Sequence, residues 1–285
     1  MAQITSEQYS SIRQVPYFHD GIYADLDVEK TLDYMTRRYV RPCIKRLDIT
    51  QAIVADCAAG FGWVSFAFLQ AGAKKVYMIE PDKRRLEAAK EIATILGLDN
   101  RCEFICAILQ EVDLPPDSVD IFACIETIEH VGKENVKVCV ETIARATRSV
   151  VLLTTPNRLF PVVAHDTKLP LAHWMPAWLR KPYARAFRRE KMDYNNYFIA
   201  PWELDPLYQK FKSDAQYTMF SSLEEFDEFY PHYLPYGRKE SARYRKHPST
   251  PARLFVSTAG RLFGNYAFAV SPNLATVWTR RNYTN

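Results

Sequence analysis

The chain has 285 residues, of which 48% are hydrophobic and 25% charged, with a formal net charge of +4. That balance excludes a disordered chain, a collagen-like repeat and a coiled coil, and fits one large domain or a core carrying an insertion. A charge of +4 is too mild to imply nucleic acid by itself. Glycine is scarce, nine in all, so two glycines close together carry weight. The six cysteines, at positions 43, 57, 102, 106, 124 and 139, contain no CxxC pair, and a chain of this size needs no disulfide framework. No apolar stretch opens the chain, and the long uncharged runs 57–73 and 262–279 are interrupted by Gly, Ser, Asn or Pro. The expectation is a chain without signal peptide or membrane span, in the reducing cytoplasm.

Residues 1–47 read as an N-terminal helical arm. Within it, 27–47 has helical character opened by Asp27 and disturbed by Pro42. Then a regular alternation begins. The apolar runs AIVADC (52–57), VYMIE (76–80), CEFICAIL (102–109), VDIFACI (119–125) and SVVLLTTP (149–156) read as strands. Helical stretches at 63–72, 83–98 and about 133–147 separate them. Continuous apolar strands alternating with helices predict βαβ units and a parallel sheet buried on both faces.

The segment 158–200 breaks this rhythm. Rich in Pro, Trp, Tyr and Arg, it is expected to be an insertion over the functional edge of the sheet. Residues 201–285 return to the core. There 201–211 reads as helix, AQYTMF (215–220) as a strand, 221–265 as a second, partly helical insertion, and LATVWTRR (274–281) as the final strand.

The chemistry begins at DCAAGFG (56–62), where a strand ends in Asp56 and Gly60 and Gly62 lead into a helix. Glycines at such a junction let backbone approach a ligand while helix N–H groups point at it. Alone they also suit a plain tight turn. Glu80 ends the next strand, where an acid accepts both hydroxyls of a ribose. A dinucleotide would place pyrophosphate on the helix N-terminus, and Asp56 would repel it. An acid there suits a ligand bearing an ammonium group, as S-adenosylmethionine does.

On these residues the sequence resembles the class I S-adenosylmethionine-dependent methyltransferases. VADCAAGFG (54–62) is similar to their glycine-rich first motif, with Ala58 in place of the first glycine, and VYMIEPD (76–82) to the second, with Glu80 as ribose acid and Pro81 beside the adenine. Ile108 and Leu109 stand where many relatives carry an acid and a small residue bracketing the adenine; Gln110 is a substitute for that contact. SVDIFACIETIEHV (118–131) and TTPNR (154–158) resemble the branch that includes ubiquinone-pathway O-methyltransferases and polysaccharide or secondary-metabolite methyltransferases. The resemblance spans about 50–157. It implies a Rossmann-like α/β three-layer sandwich with a mainly parallel seven-stranded sheet and an antiparallel last strand. Residues 48–157 would be the cofactor-binding core, contacting the donor through Asp56, Ala58, Gly60, Gly62, Glu80, Pro81, Ile108, Leu109 and Ile125.

On the acceptor side, Glu126, Glu129 and His130 follow the fourth strand. His130, or a carboxylate beside it such as Glu126, is a candidate general base. Glu126, Glu129 and His130 with His165 or His173 are a candidate divalent-metal set of mixed O and N ligands, as in RNA 2′-O-methyltransferases. Equally, Glu129 and His130 serve to brace the next helix. His165 and Asp166 are expected near the carboxyl ends of the strands, and Asn157, His173 and Trp174 near the acceptor. Tyr17, His19 and Tyr23 of the arm are expected to close over the cofactor. RKPYARAFRREK (180–191) has six basic residues against one acid, with Trp174, Trp178, Tyr183 and Phe187 interleaved or just before. It suits an anionic substrate, a peripheral membrane contact or, less well, RNA; a solvated helix face fits too. The function implied is O-methylation of a small-molecule hydroxyl, whether sugar, lipid-linked or secondary metabolite. The alternatives are an N-methyltransferase, a metal-dependent RNA 2′-O-methyltransferase and a non-catalytic cofactor-binding partner subunit.

Overall fold

The computed structural model describes residues 4–16, 26–163, 167–189, 196–231 and 249–281. The arm holds α1 (Ser6–Ile12), opened by a Thr5 capping box, and α2 (Val28–Met35), capped by Asp27. The expected single helix over 27–47 is instead divided. Backbone from Thr36 to Val40 widens into a π-turn, and α3 (Arg41–Ile44) follows with Pro42 in its first turn. Proline has no N–H to bond back to the residue four before it, and the wider turn absorbs that defect.

Next come β1 (Ile53–Cys57), α4 (Trp63–Gln70), β2 (Lys75–Ile79), α5 (Lys83–Ile95), β3 (Cys102–Ile105), β4 (Val119–Ile125), α6 (Val136–Ala146) and β5 (Thr147–Thr154). After β5 lie α7 (Ala177–Ala186), α8 (Asp205–Lys210), β6 (Phe211–Ser213), α9 (Leu223–Phe229), α10 (Thr250–Phe263) and β7 (Thr276–Arg280). The strands form one sheet in the order β3-β2-β1-β4-β5-β7-β6. The first five run parallel; β7 is antiparallel to both β5 and β6. The fold is therefore the expected Rossmann-like α/β sandwich with an antiparallel last strand.

Alternation along each strand builds two cores. Val54, Val76, Met78, Ile121 and Leu152 pack under α4, α5 and the arm, whereas Ala55, Ile79, Phe122, Leu153 and Trp278 pack against α6 and α8. Both faces are covered, so the central strands β1 and β4 are mostly apolar.

Two strand expectations are corrected. The run 102–109 stays in the sheet only to Ile105, because β2 ends at Ile79 and the Glu80 amide donates the last bond, to the Ile105 carbonyl; residues 107–110 are thereby released. The sixth strand is Phe211–Ser213 rather than 215–220. Phe211 and Ser213 are buried and Lys212 exposed, and Asp214 N–H extends the ladder to the Val277 carbonyl. Residues 217–220 close on themselves through a Tyr217–Phe220 bridge.

Candidate active site

Strand order reverses between β1 and β4, and at such a switch point the carboxyl ends of the strands leave a crevice. Here it is a cleft of about 360 Å³. Ala58, Glu80, Pro81, Ile108, Leu109 and Ile125 line one part, with Gln110; Glu126, Thr127, His130 and Val131 line the other.

The loop after β1 is shaped by left-handed backbone: Ala58 has φ 57°, Gly60 56° and Gly62 84°. A Cβ on Gly62 would lie 2.9 Å from the Phe66 ring, so only glycine fits at the start of α4. Around Gly60 a Cβ would meet nothing within 4 Å, which leaves its backbone open to a ligand. Ala58 carries strain that a glycine would not, roughly 1–2 kcal/mol. Glu80 is 4% exposed. Its Oε2 accepts from Gly60 N–H at 2.8 Å and its Oε1 from Asp82 N–H at 3.0 Å. One carboxylate thus sets both the glycine loop and the β2–α5 turn.

Asp56 lies elsewhere than expected. It does not line the cleft; buried beneath the loop, its Oδ2 accepts from Ser65 N–H at 3.0 Å and Ser65 Oγ at 2.6 Å. It satisfies an otherwise orphaned amide in the first turn of α4. Burial pushes its carboxyl up to about 7, although the Ser65 bonds pull the other way and Glu80 adds repulsion.

On the other side, β4 ends at Ile125 and Glu126 follows with φ 49°, a turn fixed by its N–H donating to the Thr154 carbonyl at 2.8 Å. That turn separates three side chains which adjacency in sequence groups together. Glu126 lines the cleft. Glu129 is fully buried and its Oε2 accepts from Thr155 Oγ1 at 2.9 Å. His130 is exposed and lines the cleft too, its Nδ1 2.9 Å from Asn196 Oδ1. Among the described residues no group of three His, Cys, Asp or Glu is placed to hold an ion, and His165, the further ligand considered, lies outside them.

Asn157 and His173 also prove structural. Asn157 is fully buried, donating to the Ala269 and Ser271 carbonyls at 2.9 and 2.8 Å and accepting from Leu159 N–H. It therefore ties the exit of β5 to the segment before β7. His173 Nε2 and Trp174 Nε1 both meet the Arg158 carbonyl, at 3.0 and 2.6 Å, and neither ring lines the cleft. Tyr17, His19, Tyr23, His165 and Asp166 lie outside the described residues.

Asn196 is the participant that sequence reasoning missed. Its side-chain Oδ1 and the Tyr197 N–H come from a stretch with no periodicity, and the Tyr197 N–H bond to the Glu129 carbonyl at 2.9 Å is what brings the stretch to the cleft. An oxygen acceptor at Nδ1 selects the His130 tautomer protonated there and leaves Nε2 as a proton acceptor.

Residues 54–149 match the family model described as methyltransferase domain, about a third of the chain. Among curated proteins none matches. Solved structures do. YcgJ of Bacillus subtilis is 17% identical, with 57% of this chain and 63% of that one covered and a TM-score of 0.43. An S-adenosylmethionine-dependent methyltransferase of Mesorhizobium loti is 19% identical over 46% and 57%, TM-score 0.38. Magnesium protoporphyrin IX methyltransferase of Synechocystis PCC 6803 with bound SAH is 15% identical over 73% and 84%, TM-score 0.46. The chain spans less than two thirds of the length of the first two.

Proposed function

We propose that the protein transfers a methyl group from S-adenosylmethionine to a hydroxyl oxygen of a small molecule. The observation carrying this is the divided cleft. One end has a buried acid bonded to the neighbouring Gly60 amide and an apolar rim at Ile108 and Leu109; the other has a histidine whose Nδ1 is already engaged.

These residues fit the donor. Glu80 presents a carboxylate to ribose hydroxyls, Pro81, Ile108 and Leu109 offer apolar contact to an adenine, and Ala58 and Gly60 admit close approach. Glu80, held beside the glycine loop by the Gly60 and Asp82 amides, would repel a phosphate there. When bound, S-adenosylmethionine supplies a methyl carbon already activated by positive sulfur. The chain's own task is then to position an acceptor, exclude water and take a proton. His130 Nε2 would accept the hydroxyl proton as the acceptor's new C–O bond replaces the donor's C–S bond and the neutral thioether leaves, while Nδ1–H, held by Asn196, keeps the ring aimed and shares the charge.

Calorimetric titration with S-adenosylmethionine and S-adenosylhomocysteine, with NAD as comparison, tests the reading. Micromolar binding of the first two and none of NAD is expected; NAD binding, or no binding of either, overturns it.

A further inference from the structure

The segment after β5 presents chemistry that the cleft does not use. Over the described residues 167–189 it holds six cations, Lys168, Arg180, Lys181, Arg185, Arg188 and Arg189, and no acid. Helix α7 is docked by the opposite side from its most conspicuous residue. Ala184 is fully buried, while Trp178 is 75% exposed. At i+3, i+4 and i+7 from Trp178 stand Lys181, Pro182 and Arg185, all exposed, so one outward face carries an indole followed by two cations. Leu171, Trp174, Leu179 and Phe187 are exposed beside it.

Folding gains little by leaving two tryptophans, two leucines and a phenylalanine wet in so short a stretch; a second surface must supply the burial. We propose that residues 168–189 form a docking surface for an anionic lipid bilayer. Tryptophan rests at headgroup depth, where an apolar ring and an N–H are both accommodated, and lysine and arginine meet lipid phosphates. Aliphatic Leu171 and Leu179 add to partitioning but would add nothing to stacking on bases. The basic run is also local: α9 carries Glu224, Glu225, Asp227 and Glu228. Both points favour lipid over RNA. No helix among the described residues is long and apolar enough to cross a membrane, so the contact is peripheral.

The surface is tied to the cleft. Trp174 hangs on the Arg158 carbonyl, Arg158 pairs with Glu203 at 2.8 Å and bonds the Tyr197 hydroxyl, and Tyr197 N–H holds the Glu129 carbonyl next to His130.

Co-sedimentation with phosphatidylcholine–phosphatidylglycerol vesicles tests this. The wild-type chain should partition onto mixed vesicles, release as salt rises, and ignore pure phosphatidylcholine. Combining Trp178→Ser, Lys181→Ser and Arg185→Ser should lower partitioning about thirtyfold or more. Leu262→Ser, at an exposed leucine on α10, should leave it unchanged. Circular dichroism and affinity for S-adenosylhomocysteine report whether the variant is folded; a single Lys181→Glu, with the same direction of effect, serves if it is not. Equal partitioning of wild type and variant, equal loss with Leu262→Ser, indifference to lipid charge, or tighter binding to single-stranded RNA would overturn the proposal. Failure of the wild type to bind S-adenosylhomocysteine would strike the methyl-transfer reading and leave this one standing.

Discussion

The two parts of the cleft are built by different means. The donor side is made of main chain within a short window, 56–82, where one carboxylate and three left-handed residues set the shape. The acceptor side is made of side chains gathered from afar: His130 and Asn196 are 66 positions apart. A main-chain site tolerates few alternatives at each position, so its residues are specified tightly. A side-chain site is held by packing and by hydrogen bonds that substitution can remove one at a time. Perturbations should therefore separate the halves, affinity falling with the first and turnover with the second.

The largest effect is expected at His130. His130→Ala should lower turnover by about 10²–10⁴ while affinity for S-adenosylhomocysteine stays put, measured by labelled-donor assay and calorimetry. Asn196→Ala should lower kcat less, at unchanged KM, and Asn196→Asp should restore it, since a carboxylate accepts the same Nδ1–H. Glu80→Ala reverses the pattern. Two backbone amides lose a charged acceptor, at about 1.5–3 kcal/mol each, and cofactor binding should vanish from the calorimetric trace along with stability in urea. Gly62→Ala should cost about 2–4 kcal/mol in the same unfolding experiment, from left-handed strain and the Phe66 collision.

Smaller effects sharpen the donor side. Buried Asp56 titrates near 7 when folded and near 3.8 when unfolded, so the folded state holds the extra proton in between. Stability should accordingly fall as pH rises from about 4 to about 7, by up to about 1.4 kcal/mol per pH unit from this group. Asp56→Asn should flatten that slope. Smallest is Ala58→Gly: relief of the φ 57° strain less the added chain entropy should raise stability by about 0.5–1 kcal/mol.

The same contrast explains what could be read from the chain. Strands β1, β4 and β5, buried on both faces, announce themselves as unbroken apolar runs, and Gly60, Gly62 and Glu80 are legible because their spacing reflects a local turn. Asp56 stands out in the sequence as an acid facing a ligand; that it faces Ser65 instead depends on where α4 starts. His173, Asn157 and Glu129 share the vocabulary of catalytic residues, but only tertiary contacts reveal that Arg158, the Ala269 carbonyl and Thr155 already engage them. The exchange of strand between 211–213 and 215–220 has a similar origin. Three residues paired with β7 are too short for periodicity to register, and tertiary pairing decides.

That pairing has a consequence for how the chain is made. β7 is the last strand in sequence but lies inside the sheet, between β5 and β6, with Trp278 fully buried. As the chain leaves the ribosome, β5 and then β6 emerge with no neighbour on that side, and the Asn157 amide awaits carbonyls more than a hundred residues downstream. Until β7 slots in, an unpaired edge and the Phe211 side of the core stay open to other chains. Shortening the chain before Thr276 should thus yield aggregates rather than a smaller folded domain, and nascent copies would be clients for chaperones until β7 is synthesised.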